Sequence, residues 1–70
     1  MKYCVRWKYD DAYRGACDQM KHFDTDTREQ AVDSYHRIKE QEERQCGLTS
    51  DVYDFSLEQI HDDQSVTKVL

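Results

Sequence analysis

Six side chains of this 70-residue chain are of the types that bind zinc or act as nucleophiles. They are three cysteines and three histidines: Cys4, Cys17, Cys46, His22, His36 and His61. Zinc sites place about two to four residues between neighbouring cysteines and about three to five between neighbouring histidines, so that both ligands reach one tetrahedral ion. No pair here has either spacing, and Cys17 and His22, the nearest approach, would point to opposite faces of a strand. The sequence therefore predicts no metal site, and it indicates no cofactor.

A cysteine nucleophile needs a positive, sheltered surrounding that lowers the pKa of its thiol. Cys46 follows an acidic run, whose negative charge would raise that pKa. Cys4 lies among basic residues, but a small residue on a half-buried strand explains it more simply. With two glycines in the chain, no glycine-rich phosphate loop can form, and no serine lies in a glycine-flanked turn. We predict that the protein is not an enzyme.

Acidic residues outnumber basic ones by 15 to 10, which gives a formal net charge of −5. The excess lies in residues 22–70, because residues 1–21 are slightly basic. Such a balance repels phosphate backbones, whose recognition depends on lysine and arginine. We therefore expect no direct contact with nucleic acid or membrane, and a partner that is a larger protein or nucleoprotein complex with a basic surface.

The predicted contact surface combines acids in and before a predicted helix with two residues of a predicted turn. These residues are Asp24, Asp26, Glu29, Asp33, Glu40, Glu42, Glu43, Tyr13 and Arg14. Tyrosine and arginine dominate the energetics of many interfaces. The acids are open to two interpretations: a nucleic-acid mimic that fills a basic groove, or an ordinary exposed helix face whose interleaved bases form intrahelical ion pairs.

Composition indicates one small folded domain spanning residues 1–70. Charged residues reach 36%, but five tyrosines, two phenylalanines and one tryptophan supply the large side chains that a small core needs. Three cysteines without paired spacing are poor candidates for a disulfide framework. No stretch approaches the roughly 20 apolar residues of a membrane span. These features favour a cytoplasmic protein.

The N-terminal third has the pattern of a β-hairpin. Residues 2–9 alternate in polarity, which predicts a half-buried strand. Its inward face consists of Tyr3, Val5, Trp7 and Tyr9. Turn-forming residues follow at 10–15, and a second strand over 16–23 is expected to pair back onto the first.

A helix is predicted from about Thr27 to Gln45. Both Asp26 with Glu29 and Thr27 with Gln30 fit the spacing of a capping box. One stripe of the helix is apolar and should face the sheet: Ala31, Val32, Tyr35 and Ile38. Gly47 lies where a left-handed residue commonly ends a helix.

A third strand is predicted over Val52–Ile60. Strict alternation would place Tyr53, Phe55 and Leu57 on one face, with Asp54, Ser56 and Glu58 on the other. Residues 61–70 are expected to form either a flexible tail or a short addition to the sheet edge. The predicted fold is α+β, in the order β-β-α-β, with a three-stranded antiparallel sheet of order 2-1-3 and the helix packed on one face.

This pattern resembles that of many small accessory proteins encoded by bacteriophages, some anti-CRISPR inhibitors among them. The likeness covers about residues 3–60 and rests on Val5, Trp7, residues 23–25, Ala31, Tyr35, Ile38, Val52, Phe55 and Leu57. These are signals of fold, so no functional residue is carried over. The resemblance implies a protein that blocks a bacterial defence or regulatory complex by occupying a surface.

Two other functions remain open from the sequence. Lys2, Arg6 and Lys8 would form a basic row on the open face of the sheet, which favours a small nucleic-acid-binding regulator. Unprotected edge strands would instead favour a homodimeric structural module.

Overall fold

The computed structural model describes residues 1–47 and 50–70. Its elements are β1 (Lys2–Asp11), β2 (Gly15–Asp24), α1 (Arg28–Gln45), β3 (Ser50–Ile60) and β4 (Val66–Lys68). The strands form one antiparallel sheet in the order β2-β1-β3-β4. The α+β architecture predicted from the sequence is confirmed, but the described chain contributes four strands to the sheet instead of three.

The hairpin of β1 and β2 runs from Lys2 opposite Asp24 to Asp11 opposite Gly15. Its turn closes where the N–H of Arg14 donates to the carbonyl of Asp11 at 3.2 Å. Gly15 has a φ of +80°, a conformation that residues with a side chain adopt at a cost. The turn thus forms at the cluster of turn-forming residues that the sequence indicates.

Helix α1 begins where the Thr27 hydroxyl accepts a hydrogen bond from the N–H of Gln30 at 3.2 Å. The Gln30 side chain in turn accepts from the N–H of Asp26 at 3.1 Å, so the second of the two predicted caps is the one used. At the other end, Cys46 turns the chain into an extended conformation with φ −62° and ψ 128°. The prediction of a left-handed Gly47 is wrong, because Cys46 ends the helix and Gly47 has no positive φ.

The core lies between α1 and the two central strands. Its fully or nearly buried side chains are Ala31, Tyr35 and Ile38 from the helix and Tyr3, Val5, Trp7 and Leu57 from the sheet. Val32, the fourth residue of the predicted stripe, packs against them while partly exposed. Because the helix packs mainly on β1 and β3, strand β2 stays exposed along its length except at Phe23, which stacks on Tyr3.

A β-bulge in β3 changes which side chains face the core. Trp7 lies opposite both Asp54 and Phe55, because the register slips by one residue there. Asp54 is at the bulge, and its backbone has a left-handed φ of +57°. Tyr53 consequently lies opposite Lys8 on the open face of the sheet, while Phe55 stacks on Trp7 in the core. The prediction that Tyr53 and Phe55 share a face is therefore wrong.

The last ten residues contribute the fourth strand, the short edge addition that was one of two expectations for this segment. A tight turn forms where the N–H of His61 donates to the carbonyl of Ser65 at 2.9 Å. After β4, the N–H of Val69 donates to the carbonyl of Leu57 at 2.8 Å, and its side chain packs on the core. In the part of the chain that the structure describes, no helix has the length and apolarity to cross a membrane.

Candidate functional site

Among the described residues, three carboxylates have structural partners. Glu58 accepts from the guanidinium of Arg6 at 3.0 Å on the open face of the sheet. Asp63 accepts from both the N–H and the hydroxyl of Ser65, and these hydrogen bonds lower its pKa. Asp11 accepts from the N–H of Tyr13 at 2.7 Å, the main cause of its lowered pKa. These acids organise the sheet and its turns.

Replacing Asp11 by asparagine is expected to make the free energy of unfolding depend less on pH in acid solution. Its pKa is lower in the folded state, so its contribution to stability is present above the unfolded value of about 3.9 and is lost as the pH falls through the folded value. Urea midpoints between about pH 2 and 6 should therefore vary less in Asp11→Asn than in the wild type. Asp62→Asn is the matched control, and an equal reduction there would contradict the assignment.

The acids of α1 lack the ion pairs that an ordinary charged helix face would have. Within residues 1–47 and 50–70, the one ion pair joins Arg6 to Glu58. Asp33 and Arg37 have the spacing that favours an intrahelical pair, yet they do not pair. Lys39 instead places its ammonium group over the ring of Phe55, 5.8 Å from the ring centre. The helix acids are therefore left without a charged partner in this part of the chain.

The nine predicted contact residues do not form one surface. Helix α1 starts beside the end of β2 and runs back toward the β1–β2 turn, so its two ends lie at opposite ends of the sheet. Near the start of the helix lie Asp24, Asp26, Glu29 and Asp33. Toward the turn lie Glu40, Glu42, Glu43, Tyr13 and Arg14.

Carboxylates lie close together at the second of these places, where Arg14 and Arg44 also lie. We call this place the hairpin end and define it by Asp10, Tyr13, Glu42, Glu43 and Asp51. Asp10 lies directly opposite Asp51 in neighbouring strands, an arrangement of like charges that destabilises a sheet. Asp51, Glu42 and Glu43 also lie near the thiol of Cys46. The pKa of that thiol is raised first by burial and then by these three carboxylates.

Neither Asp10 nor Asp51 is among the nine contact residues predicted from the sequence. Each is unremarkable in the sequence, since their opposition depends on the pairing register of strands about 40 residues apart. The raised pKa of Cys46 does follow the expectation that neighbouring acids would disfavour its thiolate.

An exposed aromatic side chain completes the hairpin end. Tyr13 is 86% exposed, more than any other large hydrophobic side chain in residues 1–47 and 50–70. Its backbone is held by Asp11, which is itself held by a hydrogen bond from the hydroxyl of Tyr9 at 3.2 Å. A large aromatic on a braced turn loses little conformational freedom when it is buried by a partner.

Three of the four acids in the other group line an open depression of about 480 Å³ beside the helix, which we call the helix-start groove. Asp24, Asp26 and Asp33 contribute to its lining, but so do Arg37 and Met1. The N-terminal ammonium group of Met1 donates to the carbonyl of Thr25 at 2.8 Å. Two positive groups therefore offset the carboxylates here.

The open face of the sheet carries alternating charges. Lys2 lies opposite Asp24, and Lys8 opposite Asp18, while Arg6 is paired with Glu58. Each base of the predicted basic row thus has an acid beside it. In the middle of this face lies Cys4, fully buried, and burial raises the pKa of its thiol.

The histidines and cysteines are dispersed over the described residues, where all three thiols are free and no group of three metal-binding side chains converges. His61 forms a hydrogen bond with the Thr67 hydroxyl at 2.7 Å, and His36 packs edge-on against Tyr35. Comparison with known proteins found no family model, no curated protein and no solved structure that matches this chain.

Proposed function

We propose that this protein is a non-enzymatic inhibitor or adaptor that binds a basic surface of a larger protein or nucleoprotein complex. The contact is the hairpin end, with its acids matched to lysines and arginines of the partner and Tyr13 as an apolar anchor. The resemblance to phage accessory proteins favours a host defence complex, such as a CRISPR complex, whose nucleic-acid-binding surface would be occupied.

The observation that carries this proposal is the crowding of like charges at one end of the sheet. Asp10 and Asp51 face each other across two strands, and Glu42 and Glu43 lie nearby. Such an arrangement costs folding free energy, and a basic partner would relieve that cost on binding. Unfavourable local arrangements of this kind in proteins are often found at functional sites.

A nucleic-acid-binding role for the open sheet face receives less support. Phosphate binding needs several lysines or arginines that act together. The register instead sets Asp24 and Asp18 opposite Lys2 and Lys8, and Glu58 beside Arg6. The hairpin end is the better supported contact.

Affinity capture from a nuclease-treated bacterial lysate tests the proposal, with the tagged wild-type protein at low and at high salt. We expect one basic protein or nucleoprotein complex at low salt and its loss at high salt, because screening weakens contacts between opposite charges. A partner retained equally at both salt concentrations would contradict the electrostatic contact. Recovery of nucleic acid from an untreated lysate, with no protein, would support the regulator instead.

A further inference from the structure

Strand β2 forms one entire edge of the sheet and is open on both faces. It is ten residues long, and nine of these residues are exposed. On the opposite side of the sheet, the three-residue β4 pairs only with the last part of β3, and the bulge at Asp54 interrupts the rest of that edge. Edges of this length are usually protected by proline, a bulge, a covering segment or charged side chains. The chain contains no proline and, in the part that the structure describes, nothing covers β2, whose charged residues are Asp18, Lys21 and Asp24. The β2 edge therefore requires an explanation.

Hydrogen bonds at the start of the hairpin show which backbone groups are free. Met1 and Thr25 exchange two hydrogen bonds, of 3.0 and 2.8 Å, and so form a hydrogen-bonded pair in the register of β1 and β2. Such pairs alternate along an antiparallel ladder. The odd-numbered residues of β2 consequently bond to β1. The even-numbered residues direct their N–H and C=O groups outward: Ala16, Asp18, Met20, His22 and Asp24.

We propose that β2 pairs with β2 of a second copy of this chain, antiparallel, about a two-fold axis at Met20. Met20 then lies opposite Met20 of the second copy, and Asp18 lies opposite His22. This register bonds every outward-facing residue of β2 to an outward-facing residue of the other strand. The two four-stranded sheets join into one continuous sheet of eight strands.

The side chains of β2 are complementary to themselves in this register. Two exposed methionines meet on the axis, and an acid faces a histidine on each side of it. The same register directs the turn residue Arg14 toward Asp24 and Asp26 of the second copy. Shifting the pairing by two residues so that Lys21 faces itself would also set Asp18 against Asp24, an unfavourable pair of acids. Charge complementarity thus favours a second copy and this register.

The two-fold axis is perpendicular to the sheet, so both helices lie on the same side. Each helix lies over β1 and β3, and strands are about 4.8 Å apart. The helix axes are then separated by roughly 20 Å, across a floor formed by the two β2 strands. This inference does not depend on the proposed function, because none of the five residues that define the hairpin end takes part in the pairing.

Sedimentation equilibrium over a range of concentrations tests the pairing. We expect the wild type to form a dimer and Met20→Pro to be a monomer. The N–H of Met20 points outward, so proline there removes bonds across the axis and none to β1. Met20→Lys, at a side chain that is 49% exposed, is the second variant. It sets like charges directly opposite each other, and we expect it to weaken the dimer about tenfold or more.

Cross-linking tests the register. In a Cys17→Ser and Cys46→Ser background, Met20→Cys should form a disulfide-linked dimer with oxidised glutathione. The two Cα atoms would be about 5.5 Å apart, within the range of a disulfide. Ala16→Cys is the matched control on the same strand and face, where the two Cα atoms would be about 27 Å apart and no link is expected.

Three results would overturn the proposal. The wild type could remain a monomer at all concentrations, including those at which folding is confirmed by circular dichroism. The dimer could persist in both Met20 variants, which would place it on another surface. Ala16→Cys could cross-link as readily as Met20→Cys, which would exclude this register.

Discussion

Leu57→Ala is expected to lower the free energy of unfolding by about 2–5 kcal/mol. Leu57 is completely buried, lies opposite Val5, and bonds through its backbone to Val69 and Leu70 beyond β4. Removing its side chain leaves a cavity where α1, β1 and β3 meet. A 70-residue domain has roughly 4–10 kcal/mol of stability in total, so the variant should be close to unfolding at 37 °C. Urea titration followed by circular dichroism measures the loss.

Tyr53→Ala provides the matched comparison, because strict alternation would place Tyr53 on the same face as Leu57. The bulge at Asp54 instead moves it to the open face, where it is 37% exposed. We expect its loss to cost less than about 1 kcal/mol, against about 3–5 kcal/mol for a tyrosine packed in a core. Equal losses in the two variants would mean that β3 has no bulge.

The same pair of residues shows what the sequence can and cannot predict about this fold. Alternation identifies β1 because every second residue there is a large apolar side chain. In β3 the pattern is equally clear but misleading, since one extra residue reverses the faces on its N-terminal side. Aspartate tolerates the left-handed conformation that this bulge needs, but it is common elsewhere, so nothing in the sequence marks the position.

The fourth strand and the uncovered β2 have a different cause. Val66 and Val69 are too few to give a period, so the role of β4 depends on contacts with β3 that lie outside its own sequence. For β2, exposure follows from where the helix crosses the sheet, which depends on packing across all the layers. Local patterns predict elements better than they predict which of their faces are covered.

For the candidate site, composition predicts an acidic surface but not its position. The nine residues chosen from the sequence separate into two groups because α1 spans the length of the sheet. Asp10 and Asp51 join one group only through the strand register. Composition thus predicts that the surface is acidic, and the strand register decides which acids lie together at one end of the sheet.

Reversing three acids of the hairpin end is expected to weaken partner binding by about 100-fold or more. The variant carries Glu42→Lys, Glu43→Lys and Asp51→Lys, and the partner is the complex recovered by affinity capture. Each lysine replaces an attraction to the basic surface by a repulsion. Biolayer interferometry at several salt concentrations should also show a shallower dependence of affinity on salt, because fewer opposite charges meet in the complex.

The matched control reverses three acids of the helix-start groove: Asp24→Lys, Asp26→Lys and Asp33→Lys. Both triple variants raise the formal net charge from −5 to +1, because each reversal adds two. We expect the groove variant to bind within about tenfold of the wild type. An equal loss in both variants would assign the effect to net charge, and no loss in either would show that the acids make no contact.

Tyr13→Ala measures the contribution of the apolar anchor to binding, apart from that of the charges around it. If Tyr13 packs into a pocket of the partner, its removal should weaken binding about tenfold or more by accelerating dissociation. The salt dependence should be unchanged, because no charge is lost. The charge-reversed hairpin end should instead bind more slowly, since steering at a distance depends on charge. If Tyr13→Ala binds with wild-type affinity, Tyr13 does not contribute to binding and the acids alone account for the contact.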